Sequence, residues 1–107
     1  RRGREERILS CGGIRLDPEK TLVTTEGREV RLTAGEFRLL TYFMENRGRT
    51  LTRNMLLSYR WDNDGEFVND NTLTVTVRRL REKLGKEAGG MIKTVRGIGY
   101  RMEVRDE

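Results

Sequence analysis

The stretch NTLTVTVRRLREKL, residues 71–84, decides the fold because its apolar residues recur at helical spacing. At about 100° per residue, four of them fall within about 60° of arc on a helix; they are Leu73, Val77, Leu80 and Leu84. The opposite side carries Asn71, Val75, Arg78, Arg79 and Glu82. This pattern predicts a helix that packs along one narrow stripe and presents a broad polar face to a partner.

A β-hairpin is expected after this helix. Residues 92–95 and 100–104 are rich in β-branched and aromatic residues, as strands are, and RGIG, residues 96–99, joins them. Both glycines of the turn are expected to supply positive φ angles, which glycine adopts readily. Arg96 and Arg101 would then lie at or beside the tip of the hairpin.

Four short runs of strand-forming residues precede the helices. They are residues 8–11, 14–17, 21–25 and 28–32, separated by Gly12-Gly13, Asp17-Pro18 and Glu26-Gly27. Short strands with such brief connections predict an antiparallel meander. Its side chains toward a helical layer are expected to be Ile8, Ile14, Leu16, Leu22, Val30 and Leu32.

The sequence TAGE, residues 33–36, predicts the start of the first helix because it has the spacing of a capping box. Its inward positions are expected to be Phe37, Leu40, Phe43 and Met44, with Leu39 beside them. The helix should end near Asn46, where Gly48 can adopt a left-handed conformation.

The second helix is short. Thr50 and Leu51 predict a bridging strand, and Thr52 is expected to cap a helix over residues 53–60. Its inward residues would be Met55, Leu56 and Tyr59, followed by Trp61 as a core anchor. Residues 62–70 are acidic and predict a loop. The third helix would then be capped by Asn69, Asp70 or Asn71 and end at Gly85.

Charge is unevenly distributed along the chain. Charged residues make up 36% of the 107 residues, against about 25% in an average protein, and the net charge is +5. Residues 70–101 hold eight basic and three acidic residues. A localised positive surface indicates a polyanionic partner, although a solvated basic surface would give the same numbers.

Several function classes are disfavoured by composition. The chain has no histidine and one cysteine, Cys11, so neither a zinc site nor a disulfide is expected, and no cofactor is indicated. The free thiol, expected to be a small half-buried residue, suits a reducing cytoplasm. No apolar run has the ~18 residues of a membrane span. Residues 1–7 are charged except for Gly3 and predict the end of a linker, not a signal peptide.

The third helix and the hairpin carry residue types that recognise DNA. Consecutive short helices indicate a helix-turn-helix, in which the second helix enters the major groove. Arginine can bond guanine O6 and N7, and an exposed Val75 could contact a thymine methyl. Arg96 at a glycine turn could enter a minor groove. An ordinary amphipathic helix and a plain turn are the alternatives.

Three stretches together resemble one known family. TLTVTVRRLREKL followed by IKTVRGIGYRM, and LTAGEFRLLTYFMENRGRTLTRNMLLSYRW before them, are similar to the OmpR/PhoB-type effector domain of response regulators. The resemblance covers about residues 8–104. It implies an α+β, winged helix-turn-helix fold over residues 8–107, with an N-terminal four-stranded antiparallel sheet, three helices and a C-terminal hairpin wing. The sequence NTLTV, residues 71–75, is most similar to regulators of the bacitracin-sensing subgroup, which control antimicrobial-peptide export pumps.

The resemblance also implies a role for individual positions. Val75 and Arg79 match positions that face bases, and Arg96 matches the minor-groove arginine. Positions expected to meet the DNA backbone are Thr72, Thr76, Arg78, Arg81, Thr94 and Tyr100. Many members carry Arg where Asn71 stands and Asp where Thr74 stands, so the target sequence is not set by analogy.

Partners are implied in the same way. The resemblance implies a missing N-terminal receiver domain, residues 1–7 as a linker remnant, and a sensor kinase that acts only through that receiver. The loop from Asp62 to Asp70 would contact RNA polymerase. The fragment is expected to be a cytoplasmic monomer, and the full-length protein a dimer on promoter direct repeats.

Other classes of function remain open at this point. A winged helix can serve as a protein-interaction module, which would bind with little dependence on salt. RNA binding is disfavoured because a set of stacking aromatics is missing from the recognition elements. No catalytic residues are indicated, so an enzyme is not expected.

Overall fold

The chain opens with a four-stranded antiparallel meander in the computed structural model, which describes residues 8–59 and 70–104. Its strands are β1 (Leu9–Cys11), β2 (Ile14–Asp17), β3 (Leu22–Thr25) and β4 (Arg28–Val30), in that spatial order. The predicted meander is therefore confirmed.

Two inward positions of the meander differ from the prediction. Leu9, not Ile8, packs against the core, because Leu9 pairs with the buried Leu16. Val23 is buried and Leu22 is only half-buried, because Val23 pairs with Leu16 and Leu22 pairs with Asp17. Since successive side chains of a strand point to opposite faces, only one of the two neighbours can face the core. The register also places Val30 opposite Val23, so one row of apolar side chains crosses the sheet.

Helix α1 (Ala34–Glu45) begins with the predicted capping box. The Glu36 amide donates to Thr33 Oγ1 at 3.2 Å, and the Thr33 amide donates to Glu36 Oε1 at 2.9 Å. Gly48 has the expected positive φ of 85°, two residues beyond the C-cap Asn46. Its amide donates to the Met102 carbonyl, which ties the end of α1 to the last strand.

Helix α2 (Arg53–Ser58) is capped by Thr52, whose hydroxyl accepts from the Met55 amide at 3.0 Å. Leu56 is buried and Tyr59 half-buried, but Met55 is 43% exposed, so its predicted inward position is wrong. A six-residue helix has room for few inward positions, and Met55 lies about 100° around the helix from Leu56. Trp61 and residues 62–69, most of the stretch predicted to be a loop, lie outside the described residues.

Helix α3 (Asp70–Leu84) has the predicted apolar stripe, and all four of its members are buried: Leu73, Val77, Leu80 and Leu84. Asp70 and Asn71 lie within the helix, and the remaining candidate cap, Asn69, lies outside the described residues. Gly85 ends the helix with a φ of 96°.

A short helix that the sequence did not predict follows, α4 (Lys86–Gly89). A Cβ at Gly89 would collide with the Arg81 carbonyl oxygen. Glycine therefore allows α4 to pack directly on the last turns of α3.

The second sheet has three strands: β5 (Thr50–Thr52), β6 (Ile92–Val95) and β7 (Gly99–Met102), in the order β5-β7-β6. Gly97 has the predicted positive φ of 73°, but Gly99 does not. Gly99 is required for another reason, because a Cβ there would collide with the Leu51 carbonyl oxygen of β5. Arg101 lies within β7 and bonds Glu103 and Thr50, so it is not beside the tip as expected.

The core lies between the meander, α1 and α3, and it extends to β7. Leu16 and Val23 of the meander, Phe43 of α1 and Leu80 of α3 are among its buried members. Among the described residues, no helix is long and apolar enough to cross a membrane.

Candidate nucleic-acid interface

The face of α3 opposite its apolar stripe is polar and accessible. Asn71, Arg78, Arg79 and Glu82 are exposed on it, as the periodicity predicted, and Thr74 beside them is exposed as well. Val75, expected to be exposed, is half-buried, as are Thr72 and Thr76. A partner that contacts this face therefore meets arginines first.

Three arginines of the candidate interface have no partner within the described residues. Arg78 and Arg79 of α3 and Arg96 of the β6–β7 turn are exposed, and none forms a hydrogen bond or ion pair with the described part of the chain. Their charges are therefore available to an external polyanion. The tip of the hairpin also carries Ile98, which is 49% exposed.

Arg81 has a different environment. Its Nε donates to the Ile92 carbonyl at 3.0 Å, and its Nη2 donates to Thr94 Oγ1 at 2.9 Å. Its guanidinium carbon lies 5.6 Å from the centre of the Tyr100 ring. The structure thus brings together three of the predicted backbone-contacting residues where α3 meets the hairpin.

Tyr100 is the centre of this junction and is only 5% exposed. Its hydroxyl accepts from Arg53 Nη1 at 3.2 Å, and its ring packs edge-on against Phe43 with centroids 6.4 Å apart. The ring therefore belongs to the core, and any contact with an external ligand must use its hydroxyl end.

Arg53 is a residue that the sequence analysis missed. Its Nη2 donates to Thr74 Oγ1 at 2.7 Å, so the first residue of α2 contacts both α3 and the hairpin. One signal was present in the sequence: a cation in the first turn of a helix opposes the helix dipole. An arginine in that position therefore calls for a tertiary partner.

The threonine hydroxyls of α3 are partly engaged. Thr76 Oγ1 donates to the Thr72 carbonyl at 2.8 Å, within the helix. A phosphate oxygen accepts hydrogen bonds, so Thr76 must rotate its hydroxyl before it can donate to one.

Metal and thiol chemistry have little support in this part of the fold. Within residues 8–59 and 70–104, no three His, Cys, Asp or Glu side chains are grouped to hold a metal ion. Cys11, expected to be half-buried, is buried, and its Sγ lies 3.8 Å from Met102 Sδ. Burial raises the pKa of the Cys11 thiol, although Arg47 opposes this, so the neutral thiol is favoured.

A helical core followed by a basic two-stranded wing defines the winged-helix class, and relatives of known structure share this fold. The DNA-binding domain of Klebsiella pneumoniae RstA, solved in complex with the RstA box, matches 91% of this chain with 97% of its own. Its sequence identity is 31% and its TM-score 0.77. The C-terminal domain of the nisin resistance regulator NsrR, a lantibiotic response regulator, is 33% identical with the same TM-score, over 92% of this chain and 99% of its own.

The chain belongs to the family described as "Transcriptional regulatory protein, C terminal", whose model matches residues 27–102. The expected OmpR/PhoB-type fold is thereby confirmed, whereas the bacitracin-sensing subgroup stays a prediction. Among curated relatives, the sensory transduction protein RegX3 of Mycolicibacterium smegmatis is 39% identical over 94% of this chain. The phosphate regulon transcriptional regulatory protein PhoB of Pseudomonas aeruginosa is 37% identical over 96%. The chain spans 45% and 44% of the lengths of these two relatives.

Proposed function

We propose that this chain binds double-stranded DNA sequence-specifically, as the output domain of a two-component transcriptional regulator. Helix α3 would enter the major groove and the β6–β7 hairpin the minor groove. The observation that carries this proposal is the placement of Arg78, Arg79 and Arg96 on those two elements. All three are exposed, and none has a partner in residues 8–59 or 70–104.

Base recognition is assigned to Arg79 and Val75, which lie one turn apart on α3. A guanidinium can bond guanine O6 and N7 together, and a valine methyl can contact a thymine methyl. Val75 is half-buried, so only part of its side chain is accessible to a base. Thr74 would contribute to base recognition only indirectly, because its hydroxyl accepts a hydrogen bond from Arg53.

Backbone recognition is assigned to the residues around this centre. Arg78 is free to pair with a phosphate, and Thr72 and Thr76 would donate from the same helix. At the junction with the hairpin, Arg81 uses Nε and Nη2 internally, which leaves its Nη1 to bond a phosphate beside Thr94 and Tyr100. Such contacts fix register and orientation without reading sequence.

The hairpin would approach the minor groove with Arg96 at its tip. A narrow minor groove at A·T-rich DNA has an enhanced negative potential that attracts arginine. The exposed Ile98 two residues away suits the apolar walls of that groove.

The organisation of the whole protein is also a proposal, because the chain spans less than half the length of its curated relatives. We place the DNA-binding domain at residues 8–107, with residues 1–7 as the end of a linker to a receiver domain. A sensor kinase would act through that receiver, which would also supply the dimer contact on direct repeats. RNA polymerase would contact residues 62–70, and the protein would act in the cytoplasm without catalytic activity of its own.

The test is selection from a random duplex library, followed by titration of the selected site at rising salt. The expected result is a defined half-site whose affinity falls steeply between 50 and 200 mM salt, on the order of tenfold or more, because each neutralised phosphate releases counterions. If no sequence is enriched and binding of duplex DNA is undetectable at low salt, the proposal is wrong. The winged helix would then be a protein-interaction module.

A further inference from the structure

Arg81 joins helix α3 to both strands of the hairpin, β6 and β7. It lies in the last turns of α3, and it donates to Ile92 and Thr94 of β6 at 3.0 and 2.9 Å. Its guanidinium also lies over the ring of Tyr100 in β7. A single half-buried side chain thus contacts three positions of the hairpin.

The geometry of these bonds is restrictive. The guanidinium is planar, and two of its donors have fixed acceptors, one of which is a backbone carbonyl. Tyr100 cannot shift to compensate because it is buried and is also held by Arg53. Below Arg81, the backbone of α3 is in close contact with Gly89 of α4. The side chain is therefore anchored at both ends.

We propose that Arg81 is a positioning residue that fixes the hairpin relative to α3 and so sets the spacing between the bases that each element reads. The inference rests on the proposed DNA binding. A shift of one base pair moves the groove by about 3.4 Å and turns it by about 35°. Two hydrogen bonds of ordinary length do not survive a displacement of that size. The domain should therefore accept its A·T-rich flank at one distance from the half-site only.

The test compares two duplexes that share the half-site and differ by one base pair in the distance to the flank. The wild-type domain should bind the shifted duplex at least about tenfold more weakly, similar to the effect of one mismatched base pair. Arg81→Lys keeps the charge but cannot span both acceptors, so its penalty for the shift should fall below about threefold. Its salt dependence should stay the same, since the charge remains.

Two further variants separate positioning from phosphate binding. Thr94→Val removes one acceptor and keeps Arg81, and it should loosen the spacing in the same way. If Arg81 and Thr94 only bonded phosphates, Arg81→Lys and Thr94→Val would bind more weakly but keep the wild-type penalty for the shifted flank. Lys86→Met, which removes an exposed charge of α4, is the control and should keep the wild-type penalty.

A measurement on the free domain checks the same claim without DNA. In Arg81→Lys, the backbone amide order parameters of Arg96 and Gly97 should fall relative to wild type, whereas those of the Lys86→Met control should not. Unchanged order parameters with an unchanged spacing penalty would overturn the inference while the proposed function stands. If the wild-type domain fails to bind any duplex, both are wrong.

Discussion

Lys83 Nζ lies 2.7 Å from Oε1 of Glu36, so the last turn of α3 is paired with the N3 residue of the α1 capping box. The same carboxylate oxygen accepts the Thr33 amide at 2.9 Å, and Glu36 is only 3% exposed. One buried carboxylate therefore starts α1 and holds α3 against it. The orientation of the polar face of α3, which we propose contacts DNA, depends on this contact behind it.

Loss of this ion pair should weaken the fold. Lys83→Met leaves a buried carboxylate without its cation, which would cost 3–5 kcal/mol for a fully buried pair. Since the Lys83 side chain is 39% exposed, solvent reduces the expected loss to about 1–2 kcal/mol in the free energy of unfolding. Urea denaturation measures it, with Lys86→Met as a charge-matched control expected within about 0.5 kcal/mol of wild type. Equal stability of the two variants would show that the ion pair does not hold the helix.

The two glycines of the hairpin should respond differently to alanine. Gly99→Ala places a Cβ against the Leu51 carbonyl and should cost about 3 kcal/mol, because the strand pairing of β5 and β7 must shift. Gly97→Ala meets no neighbouring atom, and only its φ of 73° is unfavourable, so about 1 kcal/mol is expected. Denaturant midpoints of the two variants decide the order. A larger loss at Gly97 would mean that the turn, not the sheet, limits stability.

Cys11 should react slowly in the native protein. Burial raises the pKa of its thiol, so the reactive thiolate is scarce near neutral pH. Since the folded pKa is raised above the unfolded value, the associated stability is present below the unfolded pKa and is lost as pH rises through the folded one. Labelling with a thiol reagent at pH 7.5, with and without denaturant, measures this. Equal labelling rates would contradict the burial of Cys11.

The extent to which the sequence predicted the structure depended on the length of each pattern. Helix α3 carries four apolar residues at helical spacing, so its stripe was predictable, and the Thr33–Glu36 cap has a local signature. Three errors, Ile8 for Leu9, Leu22 for Val23 and the inward position of Met55, fall in elements of three, four and six residues, where one period cannot fix the inward face. Helix α4 was missed because its helicity depends on the packing of Gly89 against α3.

The candidate site likewise contains residues that a local pattern predicts and residues that it does not. Arg79 and Arg96 were predictable because each needs only an exposed position on its own element. The contacts of Arg53 and Arg81 cross 47 residues to Tyr100 and 13 to Thr94, and no local pattern encodes them. The roles of the DNA-facing residues stay predictions, as does Trp61 as a core anchor.

The central claim is that α3 and the hairpin read different parts of one DNA site. Arg79→Ala should weaken binding of the selected site by about 1–3 kcal/mol and relax preference at one or two base pairs of the half-site. Arg96→Ala should weaken binding to sites with an A·T-rich flank and leave half-site preference unchanged. Each variant removes one charge, so the salt dependence of binding should become shallower by about one unit in both and does not separate them.

Base preference therefore tests the claim most directly, measured for both variants against one library randomised at the half-site and at its flank. Arg79→Ala is expected to lose base preference only within the half-site, and Arg96→Ala only within the flank. A change of half-site preference in Arg96→Ala, with none in Arg79→Ala, would contradict the assigned roles of helix and hairpin. Wild-type binding by both variants would place the DNA-binding surface elsewhere on the domain.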